Sequence, residues 1–150
     1  MVNKACFSLI VLLLLTACAG KNTEEPPNSY APAKGDESLR RGEVFIDSAD
    51  ILTLESFPPQ FRLQVSGSLP TPCHQLRAVV NEPDEQKQIQ VEIYSLVDPN
   101  TVCMQVLEAF EASIPVGSNL EGGSYTVFVN GEPVREINPV PSEIPVTPAS

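Results

Sequence analysis

The sequence is poor in the residues that mark nucleic-acid binding. It has 150 residues with no tryptophan and one histidine, and its nine Lys and Arg stand against nineteen Asp and Glu, for a net charge of −10. Because a phosphate backbone attracts clustered basic side chains, this balance speaks against a nucleic-acid partner. The acidic excess instead predicts a soluble surface on which copies of the chain repel one another.

Motifs of catalysis and metal binding are also missing. There is no glycine-rich phosphate loop, serine-nucleophile elbow or His-Glu metal motif. A nucleophilic pair at Cys73 and His74 would need a free thiolate and an orienting group, and a zinc or copper site would need ligands beyond one histidine. The acidic runs at 82–85 and 98–100 lack the spacing of an EF-hand. We therefore expect no enzyme activity, metal or cofactor, and a locally hydrogen-bonded His74.

A hydrophobic run long enough to cross a membrane as a helix is absent. The apolar run from Phe7 to Leu15 reaches only roughly half of the ~30 Å hydrocarbon layer at about 1.5 Å per residue. It follows Lys4 and precedes small residues. A positive start, a short apolar stretch and small residues together predict a targeting segment over residues 1–20.

The end of this segment, Leu15-Thr16-Ala17-Cys18, resembles the lipobox of bacterial lipoproteins, in which an aliphatic residue and two small residues precede a cysteine. The resemblance implies a diacylglycerol thioether on Cys18, cleavage after Ala17, and acylation of the new amino terminus by a chain such as palmitate. Several acyl chains anchor a protein where a single one would not. The implied location is the cell envelope, outside the cytoplasm. Because Ala19 is not aspartate, it is the outer membrane if the organism is Gram-negative.

Composition divides the chain into four parts. The lipobox resemblance implies a signal peptide over residues 1–17, and residues 18–42 have little to bury, which predicts a flexible linker. Residues 43–138 hold the strand-like segments and form the predicted domain. In residues 139–150 the prolines recur too densely for a sheet, which predicts an extended or disordered tail.

Alternation of apolar and polar residues predicts a hairpin at the centre of the domain. Residues 73–80 and 88–94 alternate with period two, which puts every second side chain on one face of a pleated sheet. The intervening residues 81–87 are charged and contain a proline, as is typical of a hairpin tip. The residues expected to face the core are Leu76, Ala78, Val80, Ile89, Val91 and Ile93.

Further strand-like segments flank this hairpin. Asn130-Gly131 is a strong hairpin signal because both positions tolerate positive φ. Residues 104–110 fit either a helical turn or the start of a strand, and we expect a strand from about Phe110. The remaining strand-like segments are 44–46, 51–54, 61–66, 124–129 and 134–137.

About seven short strands separated by turns predict an all-β fold: two antiparallel sheets packed face to face, as in an immunoglobulin-like or fibronectin-type sandwich. The absence of tryptophan sets the chain apart from the antibody branch of that architecture. The segment 69–74, together with Cys103 and residues 123–131, resembles small β-sandwich domains of bacterial envelope proteins. No known activity comes with that resemblance.

The cysteines divide by location. Cys6 leaves with the signal peptide and Cys18 carries lipid, so Cys73 and Cys103 remain in the domain. Outside the cytoplasm, two thiols in one small domain form a disulfide more often than they stay free. The sequence therefore predicts a Cys73–Cys103 bond.

Two functions fit these observations. The first is a non-enzymatic, lipid-tethered binding or accessory module that contacts another protein or a glycan. The alternative is a protease inhibitor that inserts the proline-rigidified loop from Gly67 to Pro72, held by the adjacent disulfide. Tyr94, Tyr125 and Phe128 are expected to pack in the sheets and not to form a ligand platform.

Overall fold

A computed structural model describes residues 28–56, 58–117, 120 and 122–139. The predicted signal peptide, Cys18, the first part of the predicted linker and nearly all of the predicted C-terminal tail lie outside these residues. Among the described residues, no helix has the length and apolar character needed to cross a membrane.

The described residues form eight strands and one 3-10 turn, which spans Asp36–Ser38. This all-β content confirms the predicted fold class. The strands are β1 (Arg40–Gly42), β2 (Phe45–Leu54), β3 (Gln60–Leu69), β4 (Gln75–Val80), β5 (Gln88–Val97), β6 (Glu108–Gly117), β7 (Tyr125–Val129) and β8 (Glu132–Ile137).

The strands form two sheets that pack as a sandwich. In the smaller sheet, β3 lies between β2 and β6. In the larger sheet, β5 pairs with β4 along one edge, while β1 and β7 share its other edge and β8 lies beyond β7. Every pairing is antiparallel except that of β5 with β7, which is parallel. The two-sheet prediction is therefore confirmed, with one parallel pair that it did not include.

Alternating side chains of the two sheets meet in one core. The predicted β4–β5 hairpin is present, with Ala78 opposite Ile93. Of its six expected core residues, five are buried and Val80 is half-buried. The opposite sheet contributes Leu63 and Ile114, both fully buried. Each such aliphatic side chain contributes roughly 1.5–3 kcal/mol relative to an exposed position.

The domain begins earlier than the predicted boundary at residue 43. The Asn28 side-chain amide donates to the carbonyl of Ala78 (3.0 Å), and the N–H of Ala78 donates to the carbonyl of Tyr30 (2.7 Å). These bonds cover the free edge of β4, which would otherwise present unpaired backbone groups. Residues 40–42 then pair with β5 as β1. Residues 28–42 therefore belong to the folded domain and not to the linker.

Several strands also differ in extent from the prediction, β2 and β6 among them. The two segments predicted at 44–46 and 51–54 form one strand, β2, which begins at Phe45 and continues through a bulge between Ile46 and Ser48. A bulge lets an edge strand stay paired while it bends. Strand β6 begins at Glu108, so the strand reading of this region is correct and its start lies two residues before Phe110. The Asn130-Gly131 turn is confirmed, with φ of 50° and 90°.

Candidate functional site

One edge of β5 is shared by two strands that do not meet. β1 pairs with residues 95–97 and β7 pairs with residues 88–91. Residues 92–94 therefore have no strand beside them on that edge. The gap lies between β1 and the turn that joins β7 to β8.

The side chain of Asn130 fills this gap. The N–H of Ile93 donates to Asn130 Oδ1 (2.7 Å), and Asn130 Nδ2 donates to the carbonyl of Ile93 (2.9 Å). The N–H of Asn130 also donates to the carbonyl of Val91 (3.0 Å). One amide side chain thus makes the two bonds that a neighbouring strand would make, and it links the turn directly to β5.

A groove of about 530 Å³ opens over this gap, within the range of roughly 300–1,000 Å³ that is usual for ligand pockets. Residues 41–44 form one side and Asn130 with Gly131 form another. Its floor is β5 from Gln90 to Tyr94. The groove therefore depends on three segments that are far apart in the sequence.

A stacked pair of side chains lies in the groove. The guanidinium carbon of Arg41 is 3.8 Å from the centroid of the Tyr94 ring, and Arg41 also hydrogen-bonds to the carboxylate of Glu92. The Arg41 and Glu92 side chains are 52% and 53% exposed. An exposed cation–π contact contributes roughly 0.5–1 kcal/mol. Arg41 is therefore held over the Tyr94 ring by two contacts, while half of its side chain remains exposed to solvent.

A second, less exposed ion pair lies on the same sheet. Arg77 Nε donates to Asp36 Oδ2 at 2.8 Å, and the two side chains are 14% and 16% exposed. The hydrogen bond from Arg77 lowers the pKa of Asp36, and the bond to Asp36 raises the pKa of Arg77. Because a carboxylate with a lowered folded-state pKa stabilises above its unfolded pKa, this contribution is lost as the pH falls through the lowered value.

Comparison with known protein families identifies the family of the β-sandwich. The ORF11 beta-sandwich domain matches residues 63–138. The chain belongs to this family. The match runs from within β3 to the end of β8, so it includes Tyr94 and Asn130 but not Arg41. One side of the groove is thus supplied by residues that precede the matched part of the ORF11 domain.

Proteins of Herpetosiphon aurantiacus are similar to the chain. The chain is 31% identical to the "Uncharacterized 10.2 kDa protein in HgiBIM 5'region" over 78 residues, 50% of this chain and 90% of the relative. It is 28% identical to the "Uncharacterized 10.2 kDa protein in HgiCIIM 5'region" over 87 residues, 58% of this chain and 92% of the relative. No solved structure matches the chain.

The predicted disulfide of the ORF11 domain is present. Cys73 and Cys103 are bonded, with their Cα atoms 6.1 Å apart. His74 is locally hydrogen-bonded as predicted, since its Nδ1 lies 2.8 Å from Oγ1 of the buried Thr71. With the sulfur of Cys73 held in the disulfide, no thiolate is present to pair with this histidine.

Half of the loop predicted from Gly67 to Pro72 is strand. Residues 67–69 belong to β3 and pair with β6, residues 67 and 68 also pair with β2, and Leu69 and Thr71 are buried. Pro70, Thr71 and Pro72 follow the end of β3 as a turn, in which Pro72 is exposed. The part of the predicted inhibitory loop that lies outside the smaller sheet is therefore half of its predicted length.

Aspartates of the acidic runs at 82–85 and 98–100 form hydrogen bonds within local turns. Asp84 Oδ1 accepts from the N–H groups of Gln86 and Gln88, and Asp98 Oδ1 accepts from the N–H of Asn100. Such bonds are typical of aspartate in turns. In the part of the chain that the structure describes, no three His, Cys, Asp or Glu residues are grouped so as to hold a metal ion.

The three predicted packing aromatics have different positions. Tyr125 is buried in the core, as expected. Phe128 is half-buried, and Tyr94 faces the groove against Arg41. Sequence alternation placed Tyr94 opposite the core-facing residues of β5, but only the contact with Arg41 makes it part of a site.

Proposed function

We propose that the chain is a lipid-anchored binding or accessory module, held outside the cytoplasm through Cys18 and without catalytic activity. The lipobox resemblance supports the anchor. The groove between β1 and the β7–β8 turn supports the binding role. The proposal rests mainly on the Arg41–Tyr94 pair, which lies in an open groove. The disulfide between Cys73 and Cys103 cross-links the same domain.

The chemistry of the groove suits an extended partner. Tyr94 supplies an aromatic surface, and Arg41, Glu92 and Gln90 supply hydrogen-bond donors and acceptors. These groups can contact a protein segment or a glycan, which both combine apolar surface with many polar groups. Aromatic and arginine side chains are also the residues that most often dominate binding energy at interfaces.

The anchor would place the groove close to the membrane. Asn28, the first described residue, follows Cys18 by ten residues, a length that reaches at most about 36 Å even when fully extended. A partner would therefore be met within the envelope, near the bilayer surface.

The binding role can be tested by site-specific photocrosslinking in intact cells. A photoreactive amino acid at Gln90, on the floor of the groove, should give a discrete adduct with a protein or glycan. The matched control is the same amino acid at Gln64, which is exposed on the smaller sheet. Adding Arg41→Ala should remove the adduct at position 90, because it removes the stacked cation from Tyr94.

Two crosslinking results would contradict the binding role. Equal adducts at positions 90 and 64 would show general crowding of the surface. No adduct at position 90 above that at position 64 would leave the groove without a partner. In either case the binding role of the groove would have to be abandoned.

A further inference from the structure

The loop between β5 and β6, residues 98–107, exposes four large apolar side chains. Val102 is 98% exposed, Met104 74%, Leu107 59% and Val106 50%. No charged residue lies between Asp98 and Glu108. Exposed apolar side chains that cluster in this way, unlike scattered ones, mark interaction surfaces. We call residues 101–107 the apolar loop.

Contacts within the apolar loop hold its shape. Cys103, in its middle, is bonded to Cys73. The N–H of Val106 donates to the carbonyl of Met104 (3.0 Å), and the side-chain amide of Gln105 donates to the carbonyl of Cys103 (3.2 Å). These bonds satisfy part of the loop's backbone internally. The apolar side chains can therefore enter a new environment with less ordering of the chain.

The apolar loop is linked, through its disulfide and β4, to the first described residues of the domain. Tyr30 bonds to Ala78, which is five residues from Cys73, and five residues span at most about 18 Å. The segment from Cys18 to Asn28 adds at most about 36 Å. A lipid on Cys18 would therefore keep the apolar loop within reach of the bilayer surface.

We propose that the apolar loop docks on the bilayer that holds the lipid of Cys18, with Val102 and Met104 inserted among the acyl chains. This inference rests on the lipid anchor proposed above. Val102 and Met104 are the most exposed residues of the apolar loop, and acyl chains, unlike a protein cleft, require no matching shape. The anchor makes insertion intramolecular, so a weak contact that would not hold a free protein is sufficient.

The absence of tryptophan provides a direct probe. Met104→Trp introduces the sole tryptophan of the lipidated full-length protein, and Leu52→Trp gives a matched control at a 46% exposed position of β2. Both are reconstituted into phosphatidylcholine vesicles whose acyl chains are either plain or brominated. Because bromine quenches only indole within the hydrocarbon, brominated lipid should lower the emission at position 104 by about twofold and leave position 52 unchanged.

Flotation of the vesicles distinguishes a failure of the lipid anchor from a failure of the apolar loop to dock. Protein that does not float with them shows that the anchor fails, and the docking fails with it. Protein that floats with equal quenching at positions 104 and 52 overturns the docking and leaves the anchor intact. The tryptophan emission could instead shift to shorter wavelength as the amount of protein per vesicle rises, without quenching. That result would show that the apolar loop contacts a second copy of the chain, and it also overturns the proposal.

A further variant tests whether the quenching depends on the apolar character of the loop. Val102→Asp in the Met104→Trp protein should abolish the quenching, because a carboxylate is strongly disfavoured in hydrocarbon. Val102 is almost fully exposed, so flotation and the unfolding midpoint should not change. Quenching that persists in this variant, with both of those properties intact, would count against insertion of the apolar loop.

Discussion

Asn130→Ala is expected to lower the free energy of unfolding by about 3 kcal/mol. Its amide makes two hydrogen bonds to the backbone of the buried Ile93, each of which contributes about 1 kcal/mol. Its backbone has a φ of 50°, a conformation that disfavours alanine by about another 1 kcal/mol. Urea unfolding followed by circular dichroism measures the change.

Two variants separate these contributions. Asn130→Gly keeps the freedom to adopt positive φ and loses only the amide, so its loss should be smaller, about 2 kcal/mol. Asn81→Ala removes an exposed asparagine and should change stability by less than about 0.5 kcal/mol. If Asn130→Ala and Asn81→Ala had equal effects, the amide of Asn130 would not be holding the edge of β5.

Removing the disulfide should have the other large effect. The bond closes a separation of 30 residues, for which the chain-entropy relation gives about 3.6 kcal/mol as an upper figure. The double variant Cys73→Ser with Cys103→Ser should therefore unfold at a much lower urea concentration than the wild type. Reducing agent should lower the midpoint of the wild type to that of the double variant.

The controls for this prediction are within the same chain. Reducing agent should not affect the double variant, which has no bond left to break in the domain. Cys18→Ser should leave the midpoint unchanged, because Cys18 is not part of the disulfide. A wild-type midpoint that did not respond to complete reduction would show that the bond contributes nothing to stability.

Local patterns were sufficient to predict β4 and β5. Period-two alternation predicted β4 and β5, because one face of each strand is buried and the other is not. Asn130-Gly131 predicted its turn because the backbone there requires positive φ. The disulfide followed from the cysteines that remained after the signal peptide and the lipobox had been assigned.

Gly67 shows where local patterns mislead. Glycine and nearby prolines predicted a turn at residues 67–72, yet Gly67 lies inside β3. An added Cβ at this position would be 2.0 Å from the carbonyl oxygen of Phe45. Glycine is required there because β2 approaches closely at its bulge, a contact between strands that composition alone does not indicate.

The candidate groove could not be predicted because its parts meet only in the fold. Strand β1 has no apolar alternation, and it is ordered by pairing with β5. Arg41 contacts Tyr94 across more than fifty residues of sequence. Nothing local indicates that the side chain of Asn130 replaces a strand. Sequence patterns revealed the residues that face the core, whereas the site consists of residues that face away from it.

The mass of the amino-terminal peptide of the mature protein shows whether the chain is lipid-anchored. We expect a peptide that begins at Cys18 and carries a diacylglycerol thioether, and we expect no lipid on the Cys18→Ser variant. A mature protein that begins upstream of residue 18, or that has a free thiol at Cys18, would contradict this expectation.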